Sequence, residues 1–317
     1  MILRDLPDLP PRPPTRANAA FRRWFYERWG RENAVIVYRT HRAEFVPHTQ
    51  ALSIKRAWGG AEDYLVGSQR LAVSDSHGLI LNDGAHYGAR ISSPTPVTSL
   101  AVFFRPGMAE ELAGAAAQAA SKSLDHGPSI ARAAWHFSEH LRVFERGVEE
   151  RLARLLAGVC HGETDDAWLE EQLQGVLWAM LHAEPGWRER SRRLQTLSRS
   201  AHAELQQRVD RAADFILSCY TEPITLDQIA AAAGLSKYHL VRCFAQVHGV
   251  TPMALLTRTR TRAAERLLRE TTLSMAEVLA RSGFGSRQTL FRQLRRLCGA
   301  GGRELRQRAS RLALSLP

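Results

Sequence analysis

Residues 224–244 read ITLDQIAAAAGLSKYHLVRCF, and residues 273–294 read LSMAEVLARSGFGSRQTLFRQL. The two stretches follow one plan. Each opens on a hydroxyl residue with Gln or Glu three positions later, Thr225 with Gln228 and Ser274 with Glu277. That is the capping-box pattern, in which the two side chains satisfy each other's orphan backbone donors at a helix start. Each stretch then reaches a glycine, Gly234 or Gly283, and restarts at Ser236 or Ser286. The glycines predict helix ends in left-handed backbone, and the serines predict the N-caps of the following helices. Thr225 lies 11 residues before Ser236 and Ser274 lies 12 before Ser286, so one extra residue, Gly285, falls in the second turn. Beyond the serines, Ser236-x-x-x-Leu240-x-Arg242 matches Ser286-x-x-x-Leu290-x-Arg292.

Two short helices around a tight turn make a helix-turn-helix unit, whose second helix enters the DNA major groove. Helical periodicity predicts that Leu240, Phe244 and Val247 are buried in the first unit, and Leu290, Leu294 and Leu297 in the second. The opposite faces carry Lys237, Tyr238, Val241 and Arg242, and Arg287, Gln288, Thr289 and Arg292. These types suit base edges: Arg forks onto guanine, Gln bridges adenine, and Thr or Val touches a thymine methyl. Between the units, TPMALLTRTRTRAAERLLRETTL (251–273) starts with Pro at the first helical turn and keeps one apolar side. A continuous helix of about 18 residues spans about 27 Å. With the bulk of the units added, that predicts readers in successive major grooves, about 34 Å apart.

The charge agrees. The 317-residue chain carries a net +11, and residues 204–311 hold 18 Lys and Arg against 9 Asp and Glu, an excess of 9. Nearly all of it is arginine, the planar fork suited to phosphate and guanine. The length predicts two domains. Cys160, Cys219, Cys243 and Cys298 are scattered without a C-x-x-C pair, which predicts reduced thiols in the cytoplasm and neither a zinc knuckle nor a disulfide framework. The first 20 residues are proline-rich where a secretory signal needs an apolar run, and read as an extended arm. No apolar run of membrane-spanning length is present.

Residues 21–105 read as β-rich: short apolar stretches such as NAVIVYRT, DYLVG and VTSLAVFF alternate with turns at Gly59-Gly60, Ser76-His77-Gly78, Asn82-Asp83-Gly84 and Ser92-Ser93-Pro94. FRRWFYERWG ahead of them reads as a short helix. Many short strands at this spacing predict a sandwich or small barrel. From 106 to 187 the pattern is helical, including SIARAAWHFSEHLRVF, GVEERLARLLAGV and DAWLEEQLQGVLWAMLHAE, the last capped by Asp165 or Asp166. Leu169, Leu173, Val176, Leu177 and Met180 form one face of core or dimer character. Residues 188–203, polar and basic, read as a linker, and 204–311 as the all-helical DNA-binding region. The fold class is therefore α+β: a β-barrel domain with following helices, then an all-α domain with two helix-turn-helix units. His41, His48, His77 and His86 lack an H-x-H cluster with a supporting carboxylate, so no metal is assigned. No cofactor is assigned either: there is no phosphate-binding glycine loop and no nucleophile elbow, and the chain is not read as an enzyme.

The segment 205–307 resembles the DNA-binding domain of AraC/XylS-type transcription regulators. ITLDQIAAAAGLSKYHLVRCF, HGVTPMALLTRTRTRAAERLL and LARSGFGSRQTLFRQLRRLCG carry the resemblance, with Pro252, Leu256, Arg260, Ala264, Leu267 and Leu268 at the family's repeated positions. The resemblance implies seven helices, promoter binding, and base reading by Tyr238, Val241 and Arg242 in the first unit and Arg287, Gln288, Thr289 and Arg292 in the second. Three departures predict a looser last helix: Gly301-Gly302 replaces the usual Thr-Pro or Ser-Pro, and Leu294 and Leu305 stand where aromatics are usual. LNDGAHYGARISSPTPVTSLAVFFRPGMAEELA more weakly resembles the cupin-like sensor half of such regulators, which implies ligand sensing or dimer contact. The reading is a cytoplasmic, ligand-responsive activator, a homodimer whose partners are promoter DNA, RNA polymerase and a small-molecule effector. The alternatives are a cupin-type metal-dependent enzyme with a DNA-binding tail and an architectural DNA binder.

Overall fold

A computed structural model describes residues 1–4, 19–121, 136–162, 165–191, 199–302 and 304–305; at 22, 26, 115–121, 184–191 and 199–203 it describes backbone only. The chain divides into two compact units, Met1–Glu189 and Arg190–Pro317.

Among the described residues, the first unit is a curled sheet of seven strands with helices. Its elements are β1 (Ile2–Leu3), α1 (Ala19–Arg28), β2 (Ala34–Gln50), β3 (Ser53–Trp58), β4 (Glu62–Val66), β5 (Gln69–Val73), β6 (Leu79–Leu81), β7 (Ala85–Phe103), α2 (Met108–Ser121), α3 (Arg146–Cys160) and α4 (Asp166–Ser191). Two long antiparallel strands, β2 and β7, form its spine. On its other edge, β7 pairs with β4 near its start and with β3 near its end.

The expected run of short strands is thus corrected. Ser92-Ser93-Pro94, read as a turn, lies inside β7, where the register jumps from Arg42↔Ser92 to Thr40↔Val97. Pro94 and Pro96 fall in that irregularity, and Pro47 falls in the one between Phe45 and His48. Proline lacks a ladder donor, so it fits a strand where pairing is already broken. Asn82-Asp83-Gly84 does turn the chain, with Gly84 at φ +82°. Within the predicted arm, residues 2–3 pair in parallel with β2, and 5–18 lie outside the described residues.

Side-chain alternation gives the sheet two different faces. Val35, Val37, Ile54, Leu100 and Val102 point to a core shared with Phe137, Phe144, Leu152 and Leu155 and with the α4 stripe Leu169, Leu173, Val176, Leu177 and Met180. The intervening Ile36, Tyr38, Lys55, Ala101 and Phe103 line a cavity of about 320 Å³ on the other face. Asp165 caps α4, its Oδ1 accepting from the Ala167 and Trp168 amides at 2.7 and 3.1 Å. The helix expected over SIARAAWHFSEHLRVF is not found at 136–144, which run without helix and bury Phe137 and Phe144; 129–135 lie outside the described residues. The predicted linker is also mostly helical where described: α4 continues through 188–191, and the next helix covers 199–203.

The second unit contains α5 (Arg199–Cys219), α6 (Leu226–Ala233), α7 (Lys237–His248), α8 (Pro252–Glu270), α9 (Met275–Ser282) and α10 (Arg287–Cys298). Residues 302, 304 and 305 are also helical. It has two apolar clusters. The first gathers Val209, Ile216, Ile229, Leu240, Phe244 and Val247, and the second Val278, Phe284, Leu290 and Leu294. Helix α8 feeds both, with Leu256 and Ala263 in the first and Ala264 and Leu268 in the second. Leu297 departs from expectation: it is 46% exposed, while Leu305 and Ala300 complete the second cluster. Leu294 and Leu305, which stand where aromatics are usual, are both fully buried. Leu294→Ala should therefore cost about 2–5 kcal/mol of unfolding free energy, and Leu297→Ala less than about 1, measured by urea denaturation.

Candidate nucleic-acid interface

Both helix pairs in the second unit are built by the same local devices. Thr225 Oγ1 accepts from the Gln228 amide at 3.3 Å while Gln228 Oε1 accepts from the Thr225 amide at 2.8 Å. Ser274 and Glu277 repeat the exchange at 3.3 and 2.8 Å. These bonds hold the exposed Glu277 carboxyl below its usual range, the Ser274 side chain being the main cause. Each first helix ends in a glycine of positive φ, Gly234 at +63° and Gly283 at +73°. The next amides, Leu235 and Phe284, reach back to the carbonyls of Ala230 and Leu279. These are Schellman closures, which use up orphan carbonyls and turn the chain. Ser236 and Ser286 then cap the second helices by accepting from the His239 and Thr289 amides at 3.3 and 3.2 Å.

The candidate reading residues divide between α7 and α10. Tyr238 is 83% exposed. Arg242, Arg287, Gln288 and Arg292 are also exposed, and Val241 and Thr289 are half-buried. Two of the eight have other engagements. Lys237 Nζ pairs with Asp227 Oδ1 on α6 at 3.0 Å, and the Thr289 hydroxyl receives a hydrogen bond from Ser286 Oγ at 3.1 Å. Arginine pairing does not divide cleanly by helix. Arg208, Arg266 and Arg269 on α5 and α8 pair with carboxylates on their own helices, while the exposed Arg211 on α5 and Arg258 and Arg262 on α8 make no ion pair among the described residues. Among the described residues, Arg242, Arg287 and Arg292 make no ion pair. Their forks are available for guanine or phosphate.

A joint between the two helix pairs was not legible in the sequence. Arg260, midway along α8, donates from Nε to the Tyr220 carbonyl and from Nη2 to the Glu222 carbonyl, both at 2.6 Å. Gly283, at the end of α9, lies against the same backbone: a Cβ there would collide with the Tyr220 oxygen and stand 2.8 Å from Thr221 Cα. The loop after α5, the middle of α8 and the turn after α9 therefore meet at one point. The sequence marked Gly283 only as a turn residue; the close approach is tertiary.

Three histidines of the β unit make separate local contacts. His77 is buried, its Nε2 2.7 Å from the Ala72 carbonyl and its Nδ1 3.2 Å from Ser76 Oγ. His48 bonds the Val46 carbonyl, and His86 lies 3.4 Å from Thr49 Oγ1. Among the described residues there is no group of three His, Cys, Asp or Glu arranged to hold a metal ion, and no helix is long and apolar enough to cross a membrane.

Two capped helix pairs on a shared helix, each presenting unpaired arginines, have the form of a double helix-turn-helix domain. Comparison with known proteins agrees: residues 229–308 match a family model described as a helix-turn-helix domain. An uncharacterized HTH-type transcriptional regulator of Bacillus subtilis (strain 168), YbfI, is 32% identical over 71 residues, which are 22% of this chain and 26% of that protein. The chain thus spans about a quarter of the length of that relative. The DNA-binding domain of AdpA, a global transcriptional factor solved with a target DNA, is 26% identical, with 34% of this chain and 97% of that one covered and a TM-score of 0.33. A probable AraC family transcriptional regulator from Rhodopseudomonas palustris CGA009 is 27% identical, with 32% and 97% covered and a TM-score of 0.31. Residues 229–308 of this chain therefore carry a helix-turn-helix domain.

Three glycines should respond in graded fashion to replacement by alanine. Gly285, with open space and no positive φ, should lose less than about 0.5 kcal/mol. Gly234, left-handed but uncrowded, should lose about 1–2 kcal/mol. Gly283, left-handed and crowded by Tyr220, should lose more than about 2 kcal/mol. Chemical denaturation of the three variants checks the order.

Proposed function

We propose that the protein is a sequence-specific, DNA-binding transcription regulator that reads two successive major grooves with α7 and α10. The observation that carries this reading is that both capped second helices present exposed arginine without an ion pair, Arg242 on α7 and Arg287 and Arg292 on α10. Helix α8, 19 residues long, spans about 28 Å, a separation compatible with adjacent turns of the duplex. In this reading Tyr238, Val241, Arg242, Arg287, Gln288 and Arg292 face the bases. Lys237 and Thr289 make weaker contributions, because one holds Asp227 and the other serves the cap.

The β unit supports a ligand-responsive mechanism, since its curled sheet encloses a cavity of small-molecule size. An effector bound there shifts the balance between states of the first unit and thereby the DNA affinity of the second. We take the protein to be a cytoplasmic homodimeric activator acting with RNA polymerase. The β unit and helices α2 to α4 would serve as sensor and dimer-forming part, and the sensor is read as cupin-like.

Genome-wide mapping of bound DNA supplies the operator and the genes beside it. On that operator, Arg242→Ala and Arg292→Ala should each cost about 1–3 kcal/mol and relax preference at one base position. Quantitative binding to single-base operator variants and to random duplex across salt concentrations checks this. Equal losses on every sequence would reduce these arginines to phosphate contacts.

A further inference from the structure

We propose that the cavity of the β unit is an effector site for an aromatic carboxylate, with the Lys55 ammonium receiving the carboxylate and the surrounding rings holding the body. The proposal deepens the ligand-responsive reading above and rests on it.

Lys55 lies in β3, which is paired on both sides, with β6 at Leu79 and with β7 at Ala101. Its backbone is therefore fixed, and alternation turns its side chain into the cavity. The residue is 1% exposed. Its Nζ stands 3.7 Å from the centroid of Phe103, 5.0 Å from Tyr87 and 5.9 Å from Tyr64. It makes no hydrogen bond and no ion pair among the described residues. An ammonium has three donors, and burying it without acceptors is unfavourable. Burial accordingly pulls its pKa down to about 7, with the Glu62 carboxylate partly opposing the shift.

The cavity's own anion does not fill this need. Glu62, also 1% exposed, already receives the Tyr38 hydroxyl on Oε1 at 2.7 Å and the Ser99 hydroxyl on Oε2 at 2.6 Å. The site thus holds one carboxylate with both oxygens engaged and one cation with no acceptor. A ligand bringing a single carboxylate completes it. A neutral ligand leaves Lys55 unpaired.

The walls define the rest of the ligand. Phe25, Trp29, Phe45, Tyr64, Tyr87 and Phe103 line a space of about 320 Å³, near the small end for ligand pockets. Flat faces on several sides favour a ring system, which stacks edge or face against them. The cavity reaches solvent beside Val46 and Thr49, which line it and are exposed.

Titration calorimetry and thermal unfolding of the full-length protein test the assignment. The probes are 2-naphthylacetate, its primary amide, and octanoate. The naphthyl acid should bind saturably and raise the unfolding temperature, with the amide and octanoate each at least tenfold weaker. Lys55→Met should fold, unfold at a higher temperature than the parent when ligand-free, and lose at least thirtyfold in affinity for the acid while binding the amide unchanged. The groups facing Lys55 are Glu62, Tyr38, Tyr64 and Tyr87, with His48 lining the cavity. Burial raises the pKa of all three tyrosines, so they stay neutral, and it also raises that of Glu62, with the hydrogen bonds from Ser99, Tyr38 and Tyr64 and the Lys55 charge opposing the shift. Between pH 7.5 and 9 the carboxylate must restore the Lys55 proton, so affinity for the acid should fall roughly tenfold per pH unit. No binding of the naphthyl acid, equal binding of its amide, tighter binding of octanoate, full binding by Lys55→Met, or affinity independent of pH would each overturn the proposal. Operator binding in the same preparations keeps the two readings apart. Acid binding that fails while duplex binding persists ends this inference alone, and loss of specific duplex binding strikes the regulator reading instead.

Discussion

The Tyr220 carbonyl, held by Arg260 and pressed against Gly283, is the contact on which the second unit depends. Each helix pair has a small core, and a core of that size is marginal alone. Helix α8 supplies apolar residues to both. A shared helix alone would leave the pairs free to rock about it. The meeting of three segments at Tyr220 removes that freedom: the guanidinium ties α8 to the loop after α5, and the missing Cβ of Gly283 lets α9 close against the same backbone. Burial lowers the Arg260 pKa somewhat, yet a guanidinium remains charged at any physiological pH, so the joint does not loosen with pH.

The two units treat unpaired cations in opposite ways. On α7 and α10, unpaired arginines stand in water, where an isolated charge costs little and remains available to a polyanion. In the β unit, a lysine without a hydrogen-bond acceptor is withdrawn from water. The ring faces around it attract its charge, but the lost hydration outweighs them and its proton is held loosely. The exposed forks suit a large anion met at a surface. The buried ammonium suits a small one that enters.

What the sequence made legible was local. Capping boxes, glycine stops and serine restarts act within a few residues, so Thr225, Gly234, Ser236, Ser274, Gly283 and Ser286 disclosed the second unit's plan. Helical periodicity located Leu240, Phe244, Leu290 and Leu294 for the same reason. It misplaced Leu297, because the second core closes with Ala300 and Leu305 instead. In the β unit, prolines are ambiguous punctuation. Pro47, Pro94 and Pro96 resemble turn residues, but they sit at irregularities inside two long strands. Lys55 and Glu62 resemble ordinary outward positions of alternating strands, because the pattern does not say which side a sheet will curl towards. The Arg260 joint joins residues about forty positions apart, beyond any local signal.

Neighbouring residues Ala263 and Ala264 of α8 serve different cores, the first pair's and the second pair's respectively. Inserting one residue between them would swing everything downstream by about 100° about the helix axis and detach it from its hydrophobic seat. Because a turn holds about 3.6 residues, an insertion of about seven residues comes nearest to preserving the phase, and it lengthens the rod by about 10.5 Å, or roughly three base pairs of duplex. The spacing between the two readers is therefore quantised by the helical repeat. A lineage built on this scaffold can retune which bases it reads by single substitutions, but it cannot gradually alter how far apart it reads them.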